Sequence, residues 1–235
     1  MIPVYNEGEG VAHILREVRD SVQARPLEVT VVYDFDEDVT LPVLLRLQPE
    51  MPELRPLRNT MGPGVLNALR SGFQAARAPY VLVMMGDGSD EVAAVDRMLT
   101  LARAGADVVA ASRYMPGGAQ VGGPLLKRAM SRAAGLSLHW VGGLPIHDPT
   151  SNFKLYSRRL LDAVRIESTG GFELALELCV KANRLGFRLA ETPTVWRDRT
   201  TGKSRFRMRA WLPRYLHWYW FGLRTRGSRR RSYRN

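Results

Sequence analysis

Tyr80-Val81-Leu82-Val83-Met84-Met85-Gly86-Asp87-Gly88-Ser89-Asp90 reads as a strand that stops abruptly in an acidic turn. Tyr80 to Met85 is an unbroken apolar run of strand length, the pattern of a parallel strand buried on both faces. In open α/β sheets the ligand crevice lies at the carboxyl ends of the strands. Asp87 therefore stands where a substrate or metal would bind. The same residues also make a turn, with Asp90 capping the helix that follows. From this segment alone both readings stand.

The neighbouring segments repeat the rhythm. Gly64 to Ala76, with Val65, Leu66, Leu69 and Phe73 on one face, predicts a helix leading into the strand at Tyr80. Val92 to Ala104 predicts the next helix and Asp107 to Ala111 the next strand. Upstream, Ile2 to Tyr5 looks like the end of a strand. A full strand would need apolar residues before Ile2, so the first strand is expected to be cut short at the N-terminus. Val11 to Val22 is helical, Glu28 to Tyr33 a strand and Leu41 to Leu47 helical. Strands alternating with helices of this length indicate βαβ units. The expected fold class is α/β, a mostly parallel sheet flanked by helices.

After Tyr114 the pattern changes. Met115 to Gly123 reads as a Gly-rich loop, Leu125 to Val141 as a helix, and Gly142 to Ser151 as a second loop. Asn152 to Tyr156 is a short strand, Gly171 to Leu185 a helix and Phe187 to Thr194 a strand. Arg197 to Arg209 reads as a polar, basic loop. Trp211 to Leu223 is a last aromatic-rich segment.

The chain has 235 residues and 45% apolar content, enough for one large domain with a full core. Its single cysteine, Cys179, excludes an intramolecular disulfide and a cysteine-based zinc cluster. No stretch reaches the roughly 18 apolar residues of a membrane span, and no signal peptide is evident. The net charge of +11 is uneven. From Arg199 to Asn235 there are 12 Lys and Arg and no acid, which leaves 22 basic against 23 acidic residues before it. The charge belongs to the tail, so the high pI does not make the whole chain a nucleic-acid binder.

Val31-Val32-Tyr33-Asp34-Phe35-Asp36-Glu37-Asp38 ends the second strand with clustered carboxylates, which need a cation, a hydrogen-bonding ligand or full solvation. Together with Pro3-Val4-Tyr5-Asn6-Glu7 and the turn at Asp87, this order of motifs resembles the family-2 glycosyltransferases. These have the nucleotide-sugar-binding GT-A fold, and the nearest branch is the dolichol-phosphate mannose synthase-like enzymes. The resemblance spans about residues 1 to 205, the expected catalytic domain. Residues 206 to 235 remain as a basic, aromatic tail.

The resemblance implies a set of roles. Pro3, Tyr5, Asn6 and Glu7 match the family's first strand end, and Asp34, Asp38 and Thr40 match its second. Tyr33, Phe35 and Asp36 replace the first Asp, Gly and Ser of that second motif. Asn59-Thr60-Met61-Gly62, then Asn67-Ala68 and Gly72, match the next stretch. The implied nucleotide-sugar-binding residues are Pro3, Tyr5, Asn6, Glu7, Asp34, Asn59, Gly62 and Asp87. The family's metal motif Asp-Ala-Asp aligns with Met85-Gly86-Asp87, so its first Asp is missing. Asp87 and Ser89 are the implied ligands of Mg²⁺ or Mn²⁺, which prefer oxygen donors and share them with substrate phosphates.

Ser112-Arg113-Tyr114 matches Gly-Ser-Arg-Tyr, and the planar fork of Arg113 suits phosphate. A surface ion pair is the other reading of that arginine. Lys127, Arg128 and Arg132 fall where the synthases contact lipid phosphate, or form a solvated helix face. His147-Asp148-Pro149-Thr150-Ser151-Asn152-Phe153-Lys154 resembles Asp-x-Thr-Ser-Gly-Phe-Arg, and places Asp148 on the acceptor side. Gly170-Gly171-Phe172-Glu173, Glu177 and Glu191-Thr192-Pro193 match further family positions. Arg199 to Arg205 resembles a loop that folds over the diphosphate through Lys203 and Arg205.

The expected function is inverting transfer from a GDP- or UDP-sugar to an acceptor such as polyprenyl phosphate. Arg113, Lys203 and Arg205 would neutralise the leaving diphosphate, and Asp148 would serve as base for a hydroxyl acceptor. The missing Asp also suits a protein that binds nucleotide-sugar without turnover. A basic nucleic-acid-binding module is a third class. The tail, with its interleaved rings and arginines, suits an anionic membrane surface. That implies a cytoplasmic protein lying on the inner face of the membrane. The other reading of its aromatics is packing on the catalytic domain.

Overall fold

The computed structural model describes residues 1–198 and 208–224. Along the chain run β1 (Ile2–Pro3), α1 (Gly10–Ser21), β2 (Val29–Tyr33), α2 (Leu41–Leu47), β3 (Leu54–Arg58), α3 (Val65–Ala75), β4 (Tyr80–Val83) and α4 (Ala94–Arg103). They are followed by β5 (Val108–Ser112), β6 (Ala119–Val121), α5 (Leu125–Trp140), β7 (Lys154–Ser157) and α6 (Arg158–Ala163). The last elements are α7 (Leu174–Leu185), β8 (Leu189–Pro193), β9 (Val195–Arg197) and α8 (Met208–Arg224). The fold is α/β, as the alternation of strands and helices implies.

Strands β1, β2 and β3 form one parallel sheet in that order. A second sheet has the order β4-β7-β5-β8. The two abut where the Met84 N–H donates to the Met1 carbonyl at 3.1 Å and the Met1 amino group to the Leu82 carbonyl at 2.8 Å. β7 runs antiparallel to both β4 and β5, whereas β5 and β8 are parallel. A short parallel pair, β6 with β9, lies apart.

Alternating side chains of the strands point to two layers. Val109 and Ala111 of β5 face the layer of α1, α2 and α4, with Leu15, Leu44 and Met98 at its centre. Val108 and Ala110 face the layer of α3, α6, α7 and α8, which holds Leu69, Leu160, Leu178 and Trp218. Truncating a fully buried residue such as Leu44 to Ala would cost about 2–5 kcal/mol.

Several elements differ from expectation: α6 and β9 fall where no element was expected, and three more depart in kind or direction. β3 is a strand that the sequence disguises with Pro56 and two arginines; it lies at a sheet edge, where proline is tolerated. β6 lies within the expected loop 115–123 and pairs with β9. β7 enters between β4 and β5 in the opposite direction, so the sheet is mixed. The reversal brings the beginning of β7, rather than its end, to the carboxyl edge of its neighbours.

Candidate active site

Loops from β1, β2, β3 and β4 meet at the carboxyl edge of the sheet. Asn6 turns the chain after β1 with a φ of 54°, a conformation asparagine tolerates. Its N–H donates to both carboxylate oxygens of Asp38, at 3.1 and 3.0 Å. The Thr40 hydroxyl accepts from the N–H groups of Glu7 and Gly8, at 2.9 and 3.3 Å. Asp38 and Thr40 are buried. They fasten the first loop to the second, and Asn6 is held there as a backbone turn.

Asp34 is half-buried and accepts from Asn59 Nδ2 and from the Gly64 N–H, each at 2.8 Å. Asn59 also donates to the Gly62 carbonyl at 2.7 Å and accepts from the Ser71 hydroxyl at 2.8 Å. Asn59 thus shapes the turn into α3, and Gly62 supplies a positive φ of 93° within it. Asp36 pairs with Arg58 at 3.1 Å on the surface. The acidic run therefore disperses to separate partners and forms no metal cage. Beside Asp34, the rings of Tyr5 and Phe35 meet edge to face at 5.4 Å. Phe35, where the family carries Gly, builds an aromatic wall that the motif comparison did not assign to the site.

Gly88, with φ of 71°, turns the chain after Asp87. Asp87 Oδ1 accepts from the Ser89 hydroxyl at 2.6 Å and from its N–H at 3.2 Å. The Ser89 carbonyl accepts from the Arg197 N–H at 3.1 Å, which ties the turn to β9. Asp90 turns back and accepts from the Met85 N–H at 3.0 Å. Burial pushes its carboxyl up to about 7, against that hydrogen bond and with help from the Asp87 charge. The described residues hold no group of three His, Cys, Asp or Glu side chains suited to a metal ion. Asp87 and Ser89 nevertheless offer adjacent hard oxygen donors. That set fits a Mg²⁺ or Mn²⁺ whose other positions are filled by diphosphate and water.

The opposite wall comes from the start of β7 and the end of β5. Asp148 is fully buried, and Arg113 is 11% exposed. Arg113 Nε donates to Asp148 Oδ2 at 2.6 Å and Nη2 to Oδ1 at 3.0 Å. Nη2 also donates to the Thr150 hydroxyl at 3.1 Å, and Ser131 lies 2.8 Å from Thr150. Burial alone would raise the Asp148 carboxyl, but Arg113 overrides it and holds the group down at about 2. Two expectations are corrected here. Asp148 is a poor base, because protonating it would break a buried ion pair. Arg113 engages Asp148 through Nε and Nη2, so it is a buried pair rather than a surface ion pair.

Lys154 is also fully buried and donates to the carbonyls of Asp148, at 3.1 Å, and Ser151. It pins the loop that carries Asp148. His147 joins Glu191 through its N–H at 2.8 Å and its Nδ1 at 2.5 Å. Its ring stacks on His139 at 3.9 Å, which marks it as a packed structural histidine. Ser131, Thr150 and Lys154 were not singled out as site residues from the sequence. Lys203 and Arg205 lie outside the described residues.

A family model described as glycosyl transferase family 2 matches residues 1–165. The chain belongs to that family. This glycosyltransferase is 33% identical over 212 residues to an undecaprenyl-phosphate mannosyltransferase of Micrococcus luteus, covering 87% of this chain and 85% of the relative. It is 29% identical over 211 residues to a polyprenol monophosphomannose synthase of Mycolicibacterium smegmatis, covering 87% and 79%. Its fold is that of glucosyl-3-phosphoglycerate synthase from Mycobacterium tuberculosis in complex with Mn²⁺, UDP and glucosyl-3-phosphoglycerate. The TM-score is 0.65 at 16% identity, over 96% of this chain and 78% of that one. A further structure of that enzyme holds Mg²⁺ with UDP. The enzyme classes left open by composition narrow accordingly to a GT-A glycosyltransferase.

Proposed function

We propose that this glycosyltransferase moves a hexose, with mannose the first to test, from a GDP- or UDP-sugar to polyprenyl phosphate with inversion. The observation that carries the choice of acceptor is the Arg113–Asp148 pair. A hydroxyl acceptor needs a base, and Asp148, the base expected on the acceptor side, is held near pH 2 by Arg113. A phosphate acceptor is already anionic at neutral pH and needs little base help. The names of the two mannosyl-transferring relatives support the same acceptor.

The roles follow from position. Tyr5 and Phe35 flank the nucleobase beside Asp34, which fixes the base or ribose while it holds the α3 turn. Asp87 and Ser89 would hold the divalent metal, which when bound neutralises charge on the leaving diphosphate. Arg113 and Asp148 hold the acceptor wall in place as a buried, neutral pair. Lys203 and Arg205 are assigned to the leaving diphosphate. Ser131 and Thr150 orient the Arg113 fork, and Lys154 fixes the loop behind it.

The C-terminal helix and α5 bring the enzyme to its lipid. One face of α8 packs on the domain: Trp218 is 4% exposed, and the Tyr215 hydroxyl donates to the Phe172 carbonyl at 2.6 Å. The other face presents Leu212, Leu216 and Trp220, and α5 presents Leu125, Leu126 and Trp140, all exposed. The expected packing of tail aromatics on the domain describes the first face. Neither helix carries an acid, and among the described residues no helix is long and apolar enough to cross a membrane. This surface lies on an anionic bilayer.

The test is release of nucleoside diphosphate by purified enzyme with Mn²⁺ and GDP-mannose or UDP-glucose, with and without undecaprenyl phosphate. Release that depends on the lipid phosphate is expected. Equal or faster release with a simple hydroxyl acceptor would overturn the acceptor assignment.

A further inference from the structure

The turn that carries Asp87 and Ser89 is joined at two points to β9, a strand outside both main sheets. The first point is backbone: the Arg197 N–H, at the end of β9, donates to the Ser89 carbonyl at 3.1 Å. The second is a side chain. Glu91 lies two residues after Ser89 and reaches the beginning of the same strand. Its Oε2 accepts from the Val195 N–H at 2.8 Å and from the Thr194 hydroxyl at 3.1 Å. β9 is three residues long, so the turn grips it at both ends. A carboxylate that accepts from a backbone N–H makes one of the stronger hydrogen bonds.

Thr194 is a firm anchor for this grip. It is 3% exposed. Its N–H donates to the Ser112 carbonyl, at the end of β5, at 3.1 Å, and its carbonyl accepts from the Ala119 N–H of β6 at 3.0 Å. Arg97 of α4 secures the residue before it, donating through Nη2 to the Pro193 carbonyl at 3.1 Å. Through Glu91 the turn after β4 is therefore referred to the carboxyl end of β5.

Ser89 transmits the restraint inward. It is 4% exposed, and its hydroxyl donates to Asp87 at 2.6 Å. A displacement of Ser89 thus displaces the Asp87 carboxylate as well. Placement matters more here than in a site with a full set of acids, because Met85 stands where the family carries the first Asp of its metal motif. With fewer protein donors, the set depends more on the residues that hold the donors in position.

We propose that Glu91 is a positioning residue for the divalent-metal site, fixing Ser89 and through it Asp87 by way of β9. This rests on the assignment of Asp87 and Ser89 as the metal donors. Glu91 itself is engaged with β9 and acts from behind the donors, not on the ion.

The test is titration of the full chain with Mn²⁺ alone, read from the free-ion signal in electron paramagnetic resonance, for wild type, Glu91→Ala, Glu91→Gln and Asp87→Ala. Glu91→Ala should weaken Mn²⁺ binding by about 10-fold, the usual loss when a group supporting metal ligands is removed. Its melting temperature should change little, since Glu91 is 33% exposed and Val195 and Trp196 stand outside both core clusters. Glu91→Gln keeps a carbonyl oxygen for the Val195 N–H and should restore most of the affinity. In turnover, Glu91→Ala should need about 10-fold more Mn²⁺ for half-maximal rate and regain its kcat at saturating Mn²⁺. Mn²⁺ affinity lost in Asp87→Ala but equal to wild type in Glu91→Ala would overturn the positioning role and leave the metal assignment standing. A loss in Glu91→Gln as large as in Glu91→Ala would also overturn it, because the charge and not the hold on β9 would then matter. Unchanged Mn²⁺ binding in Asp87→Ala, or none in wild type, would overturn the metal assignment and the positioning role with it.

Discussion

The two walls of the active site use the same side chain in opposite ways. On the donor wall, Asp34 and Asp87 are half-buried; Asp34 is bound by neutral partners, the Asn59 amide and the Gly64 N–H, and Asp87 accepts from the Ser89 hydroxyl among its contacts. On the acceptor wall, Asp148 is fully buried and neutralised by Arg113. A carboxylate bound by neutral donors keeps its charge available to a cation or a ribose hydroxyl. One bound by a buried guanidinium has its charge cancelled and becomes a fastener. Environment, rather than residue type, separates the groups that can act on substrate from those that hold the frame.

This contrast predicts different failures for the two walls. Asp148→Ala leaves Arg113 buried without a counter-charge and should cost about 3–5 kcal/mol of stability. Denaturant midpoints would show it. An unchanged midpoint would mean that the pair is not a fastener. Asp87→Ala should instead leave the midpoint in place and lower kcat by about 10²–10³-fold, as expected for loss of one group that stabilises transition-state charge. A fully active variant would place the metal elsewhere.

Acid separates the walls as well. The Asp148 carboxyl sits at about 2 in the folded chain against an ordinary 3.8. Its folded value is depressed, so its contribution is present above about pH 4 and fades as pH falls toward 2. The contribution is about 2 kcal/mol. Asp148→Asn should flatten this part of the stability profile, measured by unfolding at stepped pH. The smallest effect is expected from Asp34→Ala. Loss of its hydrogen bonds should raise the donor KM by about 10-fold with kcat little changed, a cost near 1 kcal/mol. A collapse of kcat would move Asp34 into the chemistry itself.

Much of this was legible in the chain. The helices α1, α3 and α4 and the strand β4 follow apolar spacing closely, because each buries one face or both against a single core layer. β3 was hidden, since an edge strand tolerates Pro56 and exposed Arg55. The direction of β7 was hidden for a different reason: a buried run looks the same read either way. Asp34 and Asp87 can be placed at the sheet edge from sequence because their spacing from strand ends is local. The partnership of Arg113 with Asp148 was not, because it spans 35 residues and depends on β7 lying beside β5. Phe35 departs from the family motif, so comparison of motifs could only mark it as a substitution.

The reversed strand has one more consequence. Because β7 runs against its neighbours, Asp148 sits on a connection that enters a strand, while Asp34 and Asp87 sit on connections that leave strands. The loops of Asp34 and Asp87 lie before Glu91, and that of Asp148 lies between α5 and Lys154. An insertion or exchange in the latter can reshape what receives the sugar without moving what delivers it. On the proposed roles, a fold wired this way would let acceptor preference drift across descendants while donor recognition stays put.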